Sequence, residues 1–249
     1  MPDTRVALIT GANKGIGLQI AKDLAARGFA VLVGSRDLER GETAAKTVGA
    51  DARALQLDVT DQASIAAAAE RIHNEVGRLD VLVNNAGITN AGEPGRPLQE
   101  MAQSGLMSVV SLDEVRTVWE TNVFGVIAVT QAMLPLLRQA PAARIVNISS
   151  GGGSLTLNAN PENPHRLMFG NYSASKSALN AITVAFALNL EADGIKVNAA
   201  DPGFTQTDLN NNQGTGTVEA AAREPVRLAL LGADGPTGTF SNHNGPVPW

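Results

Sequence analysis

Short, solidly apolar runs alternate with segments of helical length through most of this chain, and few folds accept that order. Val6 to Thr10, Ala30 to Gly34, Ala54 to Asp58, Leu79 to Asn84, Arg144 to Ser149 and Lys196 to Ala200 read as strands. Between them, Ile16 to Arg27, Asp37 to Val48, Asp61 to Val76, Leu112 to Gln139 and Asn171 to Asp193 carry helical patterns, with Asp61 placed as a cap. Arg223 to Leu231 reads as a further helix and Gly238 to Ser241 as a last strand. A strand that returns to its sheet after a helix needs a right-handed crossover, which makes the strands parallel. Strands that are apolar throughout, rather than alternating, belong in a sheet covered by helices on both faces. The expectation is a single α/β domain over residues 1–249: a doubly wound, Rossmann-like parallel sheet of about seven strands.

Three stretches escape the pattern: Ile88 to Ser108, Gly151 to Gly170 and Thr205 to Gly216. Each follows a strand at its carboxyl end, the edge where open α/β sheets bind ligands. Long loops in that position are often lids or binding loops. A formal net charge of −5 argues against a nucleic-acid partner held by a general basic surface. The absence of cysteine excludes disulfide and thiolate chemistry. The apolar run Val6 to Ile9 is too short for a signal segment, and no run approaches the roughly 18 apolar residues that span a bilayer. Neither nucleic acid nor membrane is expected as a partner, and a cytoplasmic location is the default. His73, His165 and His243 have no metal-ligand spacing around them, so no metal is expected.

Thr10-Gly11-Ala12-Asn13-Lys14-Gly15-Ile16-Gly17 follows the first strand and opens the first helix. Glycines there let the backbone approach a pyrophosphate, and the helix N-terminus supplies N–H donors and a positive dipole. Taken alone, such a loop can also be an ordinary βα turn. The second strand ends in Ser35-Arg36, with Arg36 placed 19 residues after Gly17. An NAD site usually carries an acid at about this distance, whereas a guanidinium clamps a 2′-phosphate. Lys14 adds a second positive charge, so NADP(H) is the expected cofactor. A surface arginine and a solvated lysine are the plainer readings of the same residues. Asp58-Val59 is placed beside the adenine, and Asn85-Ala86-Gly87 against the ribose, though a strand-end turn explains the latter equally.

Tyr172 is the chain's one tyrosine, in Tyr172-Ser173-Ala174-Ser175-Lys176. Residues i and i+4 share a helix face. An ammonium one turn away, together with the cationic oxidised nicotinamide, is expected to lower the phenol's pKa from about 10, so that it can give a proton to a carbonyl oxygen. A Tyr-x-x-x-Lys pair is also common by chance. Ser149-Ser150 ends the fifth strand on the same edge, where a hydroxyl can stabilise developing negative charge. Asn122 lies inside an apolar helical pattern, an unfavourable place for asparagine.

Taken in order, Thr10-Gly11-x-x-x-Gly15-Ile16-Gly17, Asn84-Asn85-Ala86-Gly87, Asn122, Ser150, Tyr172-x-x-x-Lys176 and Pro202-Gly203 resemble the short-chain dehydrogenase/reductase family in its compact one-domain form. Within it, Asn13-Lys14 and the ending Gly238-Thr239-Phe240 to Trp249 look most like carbonyl reductases and plant terpenoid-ketone reductases. The resemblance implies that Tyr172 is the acid/base, that Lys176 binds the nicotinamide ribose and tunes Tyr172, that Ser150 orients the carbonyl, and that Asn122 holds a water in a proton relay. It favours Ser150 over Ser149. It places Pro202, Gly203, Thr205 and Thr207 at the cofactor, with Thr207 on the nicotinamide carboxamide. The chain departs from the family in the longer spacing between Ser150 and Tyr172 and in Asn242-His243-Asn244-Gly245 near its end. The family's common tetramer is therefore not implied; monomer, dimer and tetramer stay open.

The expected reaction is NADPH-dependent reduction of a small-molecule ketone or aldehyde, with Tyr172 as proton donor. The same site run backwards would oxidise an alcohol. A non-catalytic NADP(H)-binding regulator would be expected to have a damaged Tyr-Lys pair. A sugar-nucleotide epimerase needs a further substrate domain, and 47 residues follow Pro202. A scaffold gives no reason for Lys14 and Arg36 beside a phosphate loop.

Overall fold

Six parallel crossovers follow from the strand and helix patterning, and the computed structural model, which describes residues 4–49, 51–92 and 97–249, contains them. The strands are β1 (Val6–Ile9), β2 (Ala30–Ser35), β3 (Ala52–Gln56), β4 (Val81–Asn84), β5 (Arg144–Ile148), β6 (Lys196–Ala200), β7 (Phe240–Asn242) and β8 (Gly245–Pro246). They form one sheet in the order β3-β2-β1-β4-β5-β6-β7-β8. The helices are α1 (Gly15–Ala25), α2 (Leu38–Val48), α3 (Gln62–Glu75), α4 (Leu98–Ser104), α5 (Leu112–Trp119), α6 (Gly125–Leu137), α7 (Leu155–Ala159), α8 (Asn171–Asn189) and α9 (Val218–Ala229).

The strands are apolar throughout because both faces are covered. Successive residues point to opposite sides of a strand. Leu8, Leu82, Ile145 and Val197 meet Ile65 and Ile72 of α3 and Val129 and Met133 of α6. Ile9, Val33, Val83 and Val146 meet Ile20 and Leu24 of α1 and Ala222 and Val226 of α9. The order reverses between β1 and β4, so the crevice at their carboxyl ends is the sheet's switch point.

Several boundaries differ from the expectation. β3 begins two residues earlier than the apolar run suggested and leaves Asp58 in a turn, where its Oδ1 accepts from the Thr60 N–H and hydroxyl. Asp61 caps α3 as expected, accepting from Ala63 N–H. α9 starts at Val218 rather than Arg223, because the Thr217 hydroxyl caps it by accepting from Ala220 N–H. The eighth strand is a short antiparallel addition, β7 turning back on itself at Gly245 (φ +125°). The segments expected to be irregular hold α4, α7 and short 3₁₀ turns; residues 93–96 lie outside the described residues.

The expected helix 112–139 is interrupted. Glu120–Phe124 forms a π turn between α5 and α6. By length and composition alone Leu112–Leu137 is apolar enough to span a membrane, a test that the core helix of a sheet protein also passes. Half of its most apolar stretch is buried, with Val118, Val129, Met133 and Leu137 fully so, as in the core helix of a sheet protein.

A polar chain threads this core. Asn84 Nδ2 donates to Thr130 Oγ1 (3.1 Å) and Asn147 Oδ1 (2.9 Å), and Asn147 Nδ2 donates to Thr183 Oγ1 (2.9 Å). It joins β4 and β5 to α6 and α8 in fixed register. Buried amides left without partners are costly. Asn147→Ala is expected to lower unfolding free energy by about 1–3 kcal/mol in urea titrations followed by circular dichroism; an unchanged midpoint would show that the chain has no structural role.

Candidate active site

Beyond β1 the chain doubles back through the glycine turn into α1. Gly11 and Gly15 have φ of +63° and +58°, which side-chain-bearing residues rarely adopt. Gly17 is needed for closeness: a Cβ there would lie 2.8 Å from the Gly11 carbonyl oxygen and would overlap the Asn85 amide. That amide donates to the carbonyls of Thr10 (2.9 Å) and Gly11 (3.1 Å). The Thr10 hydroxyl accepts from the N–H groups of Asn85 and Ala86. The turns after β1 and β4 are therefore one rigid piece. α1 opens at Lys14 with no side-chain cap, so the cap residue's side chain takes none of its first N–H groups. A bare glycine turn on an uncapped helix start fits a diphosphate. Asn13 and Ile16 are half-buried in the same turn.

Arg36 is exposed just past β2, the strand beside β1. Lys14 is also exposed, but it is paired: its Nζ lies 2.6 Å from Asp208 Oδ2. Asp58 is half-buried and Val59 buried beyond β3.

The catalytic candidates gather beside Gly87. A Cβ on Gly87 would lie 3.3 Å from Asn122 Oδ1 and 3.6 Å from Lys176 Nζ. Asn122 is fully buried in the π turn, a widened geometry common at functional sites. Its side chain grips the backbone of Ile88, accepting from N–H (2.9 Å) and donating to C=O (2.8 Å). Its amide also donates to Ser175 Oγ (3.0 Å), and Ser175 donates to the Tyr172 carbonyl (2.6 Å). The structure thus gives the Asn122 side chain a bracing role.

The two serines separate clearly. Ser149 is buried and donates to Asn180 Oδ1 inside the core. Ser150 is half-buried, accepts from Gly152 N–H (3.1 Å), and its hydroxyl acts on the Tyr172 phenol to favour the phenolate.

The phenol differs from the expectation. In the protein alone its pKa is pushed up to about 12, so the ammonium by itself does not lower it. Loss of hydration is the main cause; the Ser150 hydrogen bond opposes it, and the nearby Asp201 carboxylate adds to it. Lys176 does not reverse this. Its ammonium donates to the Ile148 carbonyl (2.8 Å) and sits 5.8 Å from the centre of the tyrosine ring. Burial lowers the lysine's own pKa to about 8. Burial disfavours both charged forms, and proximity alone does not overcome it.

Pro202 and Gly203 (φ +73°) turn the chain away from β6. Thr205 is buried, and its hydroxyl donates to the carbonyls of Pro202 (3.0 Å) and Gly203 (3.3 Å), so its side chain shapes the turn rather than meeting a ligand. Thr207 is half-buried, its methyl carbon 3.6 Å from where a Gly15 Cβ would stand. Three residues here were not singled out in the sequence. Ser175 lies inside the Tyr-Lys motif itself. Asp201 follows β6 directly before Pro202, and its Oδ1 accepts from Gly203 N–H (3.0 Å). Asp208 sits 194 residues from Lys14, beyond any local pattern.

Comparisons with known proteins bear on the family and the fold. The family described as short chain dehydrogenase matches residues 5–217. The (−)-isopiperitenone reductase of Mentha piperita is 33% identical over 302 residues, covering 95% of this chain and 95% of that protein. Carbonyl reductase 1 (NADPH) of Sus scrofa is 32% identical, covering 99% of this chain and 95% of that one. Among solved structures, salutaridine reductase from Papaver somniferum superposes with a TM-score of 0.79 at 30% identity, over 95% of this chain and 99% of that one.

With a single tyrosine, the ultraviolet titration of tyrosinate reports Tyr172 directly. The midpoint in the ligand-free protein is expected near 12, above the ordinary 10. Asp201→Asn removes a negative charge that resists the phenolate, so its midpoint is expected lower. An equal or higher midpoint in that variant, with circular dichroism unchanged, would refute the influence of Asp201.

Proposed function

This chain belongs to the short-chain dehydrogenase family and is an oxidoreductase, and from that premise we propose that it reduces a ketone or aldehyde with NADPH, Tyr172 giving the proton. The observation that carries the reading is the convergence of Ser150, Tyr172, Lys176 and Asn122 beside Gly87, next to a glycine turn built for a diphosphate.

The glycine turn of Gly11, Asn13, Gly15, Ile16 and Gly17 would hold the diphosphate, and Lys14 and Arg36 the 2′-phosphate. Asp58 and Val59 would flank the adenine, and Asn85, Ala86 and Gly87 the ribose. Pro202, Gly203, the Thr205 backbone and Thr207 would border the nicotinamide. When bound, reduced nicotinamide supplies the hydride that the carbonyl carbon accepts. The Ser150 hydroxyl then orients the carbonyl oxygen, and Tyr172 passes its proton to that oxygen. A phenol that resists ionisation arrives at this step with its proton in place. Run backwards, the same site would oxidise an alcohol through the phenolate. Lys176 would bind the ribose and lend positive charge, and Asn122 would anchor the π turn from which a proton relay can start. The names of the relatives, isopiperitenone, salutaridine and carbonyl reductases, favour small organic carbonyl compounds as substrates. We place the enzyme in the cytoplasm, acting without nucleic acid or membrane.

Consumption of reduced nicotinamide, measured with NADPH and NADH against ketones, aldehydes and quinones, tests the reading. Turnover with NADPH is expected; binding without turnover on any substrate would favour a regulator. Tyr172→Phe is expected to keep NADPH affinity while kcat falls about 100-fold or more. Full activity in that variant would overturn the role of Tyr172. Arg36→Ala is expected to weaken NADPH roughly tenfold or more and NADH far less. Parallel losses would contradict the 2′-phosphate clamp.

A further inference from the structure

Lys14 has a partner from the far end of the chain, and the carboxylate it binds sits where the 205–216 segment crosses the glycine turn. The segment closes on itself: Gln206 N–H donates to the Gly216 carbonyl (2.8 Å), and Asn210 Nδ2 to the Thr205 carbonyl (2.8 Å). Its turn at Asp208–Asn210 is held by Thr207 and Asn210, with Thr207 N–H donating to Asn210 Oδ1. Within the segment the Asp208 carboxylate interacts with Asn212, but its largest interaction lies outside it. That carboxylate points at Lys14, 2.6 Å away. A second tie runs from the Thr89 hydroxyl to the Leu209 carbonyl (3.2 Å). The segment is therefore a compact flap whose ties to the rest of the described residues include one ionic and one neutral contact.

We propose that Asp208 is a specificity residue for the cofactor: it competes with a dinucleotide phosphate for Lys14, and so latches the 205–216 flap over the glycine turn until a phosphate takes the ammonium. The proposal rests on the phosphate reading of Lys14 given above. Both partners of the ion pair are 61% exposed. Such a pair is weak and screened by salt, which suits an exchangeable latch. Lys14 holds the Asp208 carboxyl below the usual carboxylate range, so the competitor stays charged down into acidic solution. A phosphate carries more charge and more acceptor oxygens than a carboxylate, and it wins the exchange when it arrives. Arg36, exposed beyond β2, remains to hold a 2′-phosphate alongside the released lysine.

The test uses the full chain, with Kd for NADPH and NADH from fluorescence titration at low and physiological salt. Asp208→Asn is expected to tighten NADPH by between roughly 1.5- and 5-fold, less at higher salt. On a Lys14→Ala background the same change should do nothing to affinity. A gain confined to NADPH identifies the 2′-phosphate as the rival ligand, and a gain shared with NADH identifies the diphosphate; either supports the competition. No gain, a loss, or a gain that persists without Lys14 would overturn it. Limited proteolysis of ligand-free protein reads the latch separately: faster cleavage within 205–216 is expected for Asp208→Asn, and an unchanged rate would remove the flap from the proposal. Lys14→Ala alone tests the underlying reading. If it leaves NADPH affinity intact, Lys14 is not a phosphate ligand, whatever the flap does.

Discussion

The side-chain amide of Asn85 fills the space that any side chain on Gly17 would need, and the carboxyl edge of the sheet is organised from that contact. The amide fastens the end of β4 to the turn after β1. Two residues on, Gly87 leaves room for Asn122 and Lys176 to approach. At the next residue, Ile88, both backbone groups are taken by Asn122. Asn122 reaches Ser175, and Ser175 reaches the backbone of Tyr172. A continuous run of hydrogen bonds thus joins the glycine turn to the helix that carries the tyrosine. Displacing either end would leave buried amides unpaired, which is why the two halves of the site hold one spacing.

Within that frame, burial and proximity pull the ionisable groups in opposite directions. One helical turn between Tyr172 and Lys176 suggests an ammonium that assists the phenolate. Lys176 is buried and Tyr172 half-buried, however, and loss of hydration opposes each charged form. Lys176 meets its need for a partner at the Ile148 carbonyl, not at the phenol. Asp201, close behind the Ser150–Gly152 turn, adds a negative field. The outcome is a phenol that keeps its proton and is a weaker acid than an ordinary tyrosine until positive charge is brought beside it.

How much was legible in the sequence follows from range. Solid apolar strands and helical spacing report local geometry, so the parallel sheet and its crossovers could be read directly. Glycine turns report backbone conformation, so Gly11, Gly15 and Gly17 could also be read. The π turn at Asn122 was visible only as a polar residue in an apolar helix, because its cause is a contact with Ile88, 34 residues away. The direction of the Tyr172 shift was not legible, because enclosure depends on segments brought in from β5 and β6. The choice of Ser150 over Ser149 came from motif resemblance; the structure supplies the physical reason, in the core bond of Ser149 to Asn180.

The same distinction separates stability from selectivity. Among the described residues, the fully buried large side chains lie on or beside the sheet and its covering helices, such as Leu8, Ile20, Ile72, Leu82 and Met133. The segments at the carboxyl edge hold large apolar groups that stay exposed: Leu155, Leu167, Met168, Phe204 and Leu209. Exposed apolar groups beside a rigid site are a surface on which further burial can be gained, whereas those in the core are already buried. The edge segments hold their shape through their own polar bonds, as in the Thr205–Gly216 flap, and so can change composition without disturbing the core. A sheet that fixes the spacing of the site and loops that stay chemically independent of it let one scaffold keep its core while the surface around the site varies.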